Sequence, residues 1–182
     1  YGEAIPIACA GIVMKVNQVF FSIVIGIGQG SQPIESFNYG ARQYDRVRKA
    51  YWQASVAGGS ISVISFILFQ LFPRQIIGLF GEGSTEYYQF GISYFRVFLF
   101  FTWVNFMQPI TSTFFTSIGK PVKGIFLSLT RQILFLLPLV ILLPLFMGID
   151  GILYAGPDGL AAVVTAIMAW VEFGQMKKLE KA

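Results

Sequence analysis

"IPIACAGIVMKVNQVFFSIVIGIG", residues 5–28, carries a single charge, Lys15. An α-helix needs about 20 mainly apolar residues to cross the hydrocarbon core of a bilayer, and this run is long enough. Immediately after it comes "QGSQPIESFNYGARQYDRVRKA", residues 29–50, with Gln, Pro, Asn and Gly and then Arg42, Arg46, Arg48 and Lys49. An apolar run that stops in a basic segment reads as a membrane helix leaving the bilayer on its cytoplasmic side.

The composition agrees. Hydrophobic residues make up 55% of the chain and charged residues 12%, against about 25% charged in soluble domains. The mean hydropathy is +0.66. The net charge of +4 is too small to suggest a nucleic-acid partner. The chain has no histidine and one cysteine, Cys9. Ser-His-Asp and Cys-His catalysis, His-containing metal sites and an internal disulfide are therefore excluded within it. No two acids share a mid-span face. The chain is not expected to be an enzyme, and neither a metal nor a cofactor is expected.

Five apolar runs qualify as spans, at approximately 5–30, 50–72, 88–116, 122–146 and 152–173. They predict an all-α integral membrane protein: one helical bundle over 1–182 with short connections. The runs are too long for the strands of a membrane β-barrel. Basic residues set the direction. The first loop holds Arg42, Arg46, Arg48 and Lys49, the third Lys120 and Lys123, and the tail Lys177, Lys178 and Lys181. The alternate loops hold Arg74 with Glu82, Glu86, Asp150 and Asp158. The N-terminus is thus expected outside the cell membrane and the C-terminus in the cytoplasm. Local punctuation fits: a capping start at Ser84-Thr85-Glu86, a helix end near Pro73, a turn at Gly119-Lys120-Pro121, and an Asp45–Lys49 surface pair.

Polar residues inside the spans are the candidates for function. Gly11, Lys15, Gln18, Ser22, Gly26 and Gln29 recur at steps of 4, 3, 4, 4 and 3, which places all six on one helical face. Such a stripe faces protein or a water-filled cavity rather than lipid. It suits either helix packing through the glycines or the lining of a substrate path. In the third span Asn105, Gln108 and Ser112 share a face with Thr111 and Trp103 nearby, and Pro109 is expected to kink the helix. That face suits a cavity wall or hydrogen bonding between helices. Arg96 either snorkels or pairs with an acid. Arg131, in the fourth span, is a candidate for a structural or gating ion pair. Trp170 and Glu172 read as interfacial anchors. Acids are absent from the middle of every span. "GIGQG" (26–30) lacks the spacing and the preceding strand of a nucleotide loop.

The residues of the helix exit carry a resemblance. "GQGSQPIESFNYGARQYDRVRKA" (28–50) resembles a motif of the MATE multidrug and toxic compound extrusion transporters: Gly, then Gln-Pro, then Asn-Tyr-Gly-Ala and a basic residue, leading into a basic helix start. The matching positions are Gly28 or Gly30, Gln32, Pro33, Asn38, Tyr39, Gly40 and Ala41. "FPRQIIGLFG", "TSIGKP" and "LTRQILFLLPLVILLPLFMGIDGI" look like the same lobe in the same order. The motif closes the eighth of twelve helices in that family, so the five spans resemble helices eight to twelve. The resemblance implies a missing N-terminal lobe, and Tyr1 in place of an initiator Met agrees with a fragment. It further implies a Na+- or H+-coupled antiporter that exports small organic cations by alternating access, embedded in the lipid bilayer. The coupling carboxylate is expected outside this chain. Lys15, Gln18, Ser22, Trp103, Asn105, Gln108 and Ser112 are then cavity candidates, and Phe101, Trp103, Phe106 and Phe115 offer ring faces to a flat cation. Gly40 is expected to permit a tight turn and Asn38 to cap the next helix. "AGPDGLA" departs from the family pattern before the last helix, so Asp158 is given no role.

Two other readings stay open. A lipid-linked saccharide flippase of the same superfamily would be expected to place more arginine in the cavity than Lys15, Arg96 and Arg131 provide. A membrane assembly subunit or remnant without transport would need a partner to cover the polar stripe.

Overall fold

The computed structural model describes residues 4–81, 83–129 and 174. The fifth span, most of the fourth, and with them Arg131, Asp158, Trp170 and Glu172, lie outside the described residues. Six helices follow in order: α1 (Ala4–Gly40), α2 (Tyr44–Leu71), α3 (Pro73–Gly78), α4 (Thr85–Phe98), α5 (Met107–Ser117) and α6 (Pro121–Leu129). No strand occurs among the described residues. Within them, Ile5–Gly40 and Tyr44–Leu71 are long and apolar enough to cross a membrane as single helices.

α1 does not stop where the apolar run stops. It continues through Pro33 to Gly40, 37 residues in all, or about 55 Å at 1.5 Å per residue. The motif at its end is helix, not loop. Its termination is a Schellman arrangement: Gln43 N–H donates to the Asn38 carbonyl at 2.8 Å and Arg42 N–H to the Tyr39 carbonyl at 3.1 Å. The left-handed residue is Arg42, φ 58°, so Gly40 is not the residue that makes the turn. Nor does Asn38 cap α2. Its Nδ2 donates back to the Ile34 carbonyl at 2.7 Å, while the N-cap position of α2 is Gln43, with no side-chain bond. On α2, Asp45 pairs with Arg48 at 3.6 Å rather than with Lys49.

The other ends follow the sequence more closely. α2 stops at Leu71 and Pro73 opens α3, where its missing N–H costs nothing. Ser84 caps α4, accepting from Tyr87 N–H at 3.2 Å. α5 closes on Gly119, φ 72°, again as a Schellman motif: Lys120 N–H reaches the Phe115 carbonyl at 2.8 Å and Gly119 N–H the Thr116 carbonyl at 3.1 Å.

The third span breaks earlier than its proline. Residues 99–106 form a succession of turns between α4 and α5, held by i→i−3 bonds such as Thr102 N–H to Leu99 O and Asn105 N–H to Thr102 O, each 3.2 Å. In an unbroken helix Pro109 would have no N–H for the Asn105 carbonyl and would crowd it. Starting a new helix at Met107 puts Pro109 in a first turn, where no N–H is needed.

α1 is the hub and packs on α2, α4 and α5. Its contacts run in one sense along the third span: Gly91 approaches Cys9, Thr113 approaches Gly28, and Ser117 meets Glu35. α2 runs the other way, pairing Phe69 with Phe95 (5.6 Å between ring centroids) and Tyr51 with Phe114 (4.7 Å). Successive spans therefore alternate in direction, as successive membrane crossings must. Small residues set the closest approaches. A Cβ at Gly28 would stand 3.1 Å from Thr113 Oγ1, and one at Gly58 would collide with Ile110 Cδ1. Phe95, Phe114 and Phe115 fill the core and are fully buried.

Candidate functional site

α1 presents two unlike faces. One is packed: Cys9, Val13, Phe20, Val24, Gly28, Glu35 and Asn38 are buried. At 100° per residue, the polar stripe lies on the side opposite. Gly11, Lys15, Gln18, Ser22, Gly26 and Gln29 are all exposed, and nothing lies within 4 Å of where a Cβ at Gly11 or Gly26 would stand. The glycines of the stripe are therefore not seams to α2, α4 or α5. Ser22 turns its hydroxyl onto the Gln18 carbonyl of its own helix at 2.8 Å, which leaves Lys15 and the Gln18 and Gln29 amides as the outward groups. A polar strip of this kind on an otherwise apolar rod is poorly matched to hydrocarbon.

The candidates of the third span are placed differently. Trp103 is 45% exposed, whereas Asn105 and Thr111 are buried; Gln108 and Ser112 are half-buried. None of Asn105, Gln108, Thr111 and Ser112 is a free group. They belong to the side of the third span that is covered, while Lys15, Gln18 and Ser22 belong to the uncovered side of α1. The two sets do not converge on one pocket within the described residues. Phe106 packs over Gly58 and Gly59 of α2. Phe115 is fully buried, and the cation over its ring is Lys123, with Nζ 5.9 Å from the centroid.

The motif residues form the C-terminal end of α1 rather than a pocket. Gly30, Pro33, Gly40 and Ala41 are exposed, Gln32 and Tyr39 half-buried, and Asn38 buried. Tyr39 meets Tyr44 edge-on across the turn, 5.7 Å between centroids, so the motif couples the end of α1 to the start of α2. Arg42, Arg46 and Lys49 are exposed around it.

The residue that sequence reasoning passed over is Glu35. Counted with the span ends and loops, it is instead wholly buried at 0% exposure in the seam between α1 and α5. Ser117 Oγ donates to its Oε2 at 2.8 Å. One pattern could have found it. Gly28 and Glu35 are seven apart, so on a helix carried through Pro33 they fall on the same packed face, with the small polar residues Ser31 and Asn38 one turn to either side. No group of three or more acidic, cysteine or histidine residues stands ready to hold a metal among the described residues.

These features define a multi-pass α-helical membrane protein, built from spans of alternating direction and carrying a polar face that the described helices leave uncovered. Comparison with known proteins gives the particular group. A family model, MatE, matches residues 2–142, and the chain belongs to that family, whose members are transporters and not enzymes. The solved structure of MATE multidrug transporter DinF-BH in a ligand complex is 32% identical, with a TM-score of 0.82, over 93% of this chain and 37% of that one. An outward-facing conformation of a multidrug resistance MATE family transporter of the MOP superfamily is 18% identical, with a TM-score of 0.86, over 100% of this chain and 41% of that one. An inward-facing conformation of such a transporter is 17% identical, with a TM-score of 0.80, over 93% and 39%. These last two likenesses speak for the fold alone. The chain thus spans about two fifths of the length of the transporters it resembles. No curated protein matches it.

Proposed function

We propose that this chain forms part of one lobe of a Na+- or H+-coupled antiporter that exports small organic cations across the cell membrane by alternating access. The observation that carries this reading is the stripe Gly11, Lys15, Gln18, Ser22, Gly26 and Gln29, uncovered and opposite the packed face of α1, in a chain of the MatE family. A second lobe facing that stripe would enclose a water-filled path between the two. The absence of an acid from the stripe supports a coupling carboxylate on the other lobe. The basic residues at the end of α1 and in the α5–α6 turn support an orientation with the N-terminus outside and the C-terminus in the cytoplasm.

The test is dye efflux by the full-length protein in cells lacking other exporters, driven by imposed sodium or proton gradients. Lys15→Ala and Gln18→Ala are expected to slow efflux at unchanged expression. Efflux at the wild-type rate in both would overturn the assignment of this face.

A further inference from the structure

We infer that Glu35 and Asn38, with Ser117, form a binding site for one monovalent cation, a proton or a sodium ion, in the seam between α1 and α5. The reasoning is a count of donors and acceptors. Glu35, Asn38 and Ser117 are each at least nine-tenths buried. The Ser117 hydroxyl lies 2.8 Å from Glu35 Oε2 and 2.9 Å from the Thr113 carbonyl oxygen, so one proton serves two oxygens. The Ser31 hydroxyl is beside the carboxyl, but its proton goes to the Gly28 carbonyl at 2.8 Å. Asn38 Nδ2 is taken by the Ile34 carbonyl. Reversing that amide would set oxygen against oxygen, so Oδ1 is held on the other side.

Two buried oxygens are left with no hydrogen-bond partner, Glu35 Oε1 and Asn38 Oδ1. They sit three residues apart on one helix, where side chains of adjoining turns meet. Both are acceptors. A single bound cation between them answers both, whether a proton on the carboxyl or a sodium ion with oxygen ligands. A single positive charge also neutralises the carboxylate, which a protein interior does not hold bare. No side chain among the described residues does so. The charged groups on the elements packed against α1 are Asp45, Arg46, Arg48 and Lys49 on α2 and Glu86 and Arg96 on α4, with none on α5. Beyond α5 come Lys120 and Lys123. None of these makes an ion pair with Glu35. The site lies on the packed side of α1, away from the polar stripe, so it is distinct from the path proposed above and does not depend on it.

The experiment uses the full-length protein in lipid nanodiscs. Infrared difference spectra are recorded across pH in sodium-free buffer, and NaCl is titrated by calorimetry. A protonated-carboxyl C=O band that is lost in Glu35→Gln assigns a proton, and saturable sodium binding lost in Glu35→Gln assigns sodium. Asn38→Leu is expected to weaken whichever is seen by about tenfold or more. Ser117→Ala, which removes only a hydroxyl, is expected to move the same midpoint, and these two variants decide the matter should Glu35→Gln not fold. The absence of both signals, a carboxyl band and a sodium stoichiometry that do not decrease at all in Glu35→Gln, or midpoints of the Glu35-dependent component untouched by Asn38→Leu and Ser117→Ala would each overturn the site.

Discussion

Gly26 and Gly28 are two residues apart on α1 and should respond oppositely to substitution. A Gly→Ala change inside a helix ordinarily gains about 1 kcal/mol. At Gly26 a Cβ meets nothing within 4 Å, so the whole gain is expected. At Gly28 the new Cβ would stand 3.1 Å from Thr113 Oγ1, 3.5 Å from Thr113 Cβ and 3.7 Å from the Ile110 Cα. The Ile110 Cα is backbone and does not yield. Thr113 can turn away only by giving up its 2.7 Å bond to the Pro109 carbonyl, a loss of about 1 kcal/mol. Gain and loss roughly cancel in Gly28→Ala. In Gly28→Val two further methyl groups enter the same seam at an overpacking cost of about 1–3 kcal/mol, and a β-branched residue recovers little of that in helix propensity. Thermal unfolding of the purified protein in detergent is the assay, with roughly 2–4 °C expected per kcal/mol at this size. The expected order of melting temperatures is Gly26→Ala above wild type, Gly28→Ala near it, and Gly28→Val below it. A Gly28→Val protein that melts with the wild type would refute the close approach of α1 and α5. A Gly26→Ala protein that melts lower would mean that the stripe is covered by packed protein.

Ser84→Ala removes the cap of α4 and is expected to cost about 1 kcal/mol, read as a lowered melting temperature. Arg42 and Gly119 hold equivalent left-handed positions at two helix ends, so Arg42→Gly should raise stability and Gly119→Ala lower it, each by about 1 kcal/mol; shifts of the same sign would contradict the two matching terminations. Phe95→Ala empties a fully buried site and should cost about 3–5 kcal/mol, enough to reduce the yield of folded protein in detergent.

What the sequence could disclose depended on whether the decisive physics was local. Hydropathy disclosed the all-α membrane fold and the long apolar helices α1 and α2, because bilayer thickness acts on the chain residue by residue. The Ser84 cap, the Pro73 start and the Gly119 turn were legible for the same reason. The end of α1 was not. Pro33, Asn38 and Gly40 are each breakers by local preference, yet α1 runs past Pro33 and Asn38 and ends only at Gly40, with Glu35 and Asn38 packed into the bundle. Reading that segment as a loop also hid Glu35, since a carboxylate next to a basic run looks solvated. The Pro109 break was misplaced because the preceding turn, not the proline, unwinds. The stripe on α1 was found by spacing alone, but that its glycines are not packing seams needed the positions of α2, α4 and α5.

The length of α1 has a mechanical consequence. A helix of 37 residues, about 55 Å long, exceeds the ~30 Å hydrocarbon core, so its polar tip stands outside the membrane's apolar layer. Tilting such a rod by about 10° carries the tip through roughly 10 Å relative to the far end. The third span has no such stiffness, because the run 99–106 divides it into two arms with a joint. Were α1 to tilt, α4 and α5 would not have to follow as one body, and the tip would bear on the lower arm at the bond between Ser117 and Glu35.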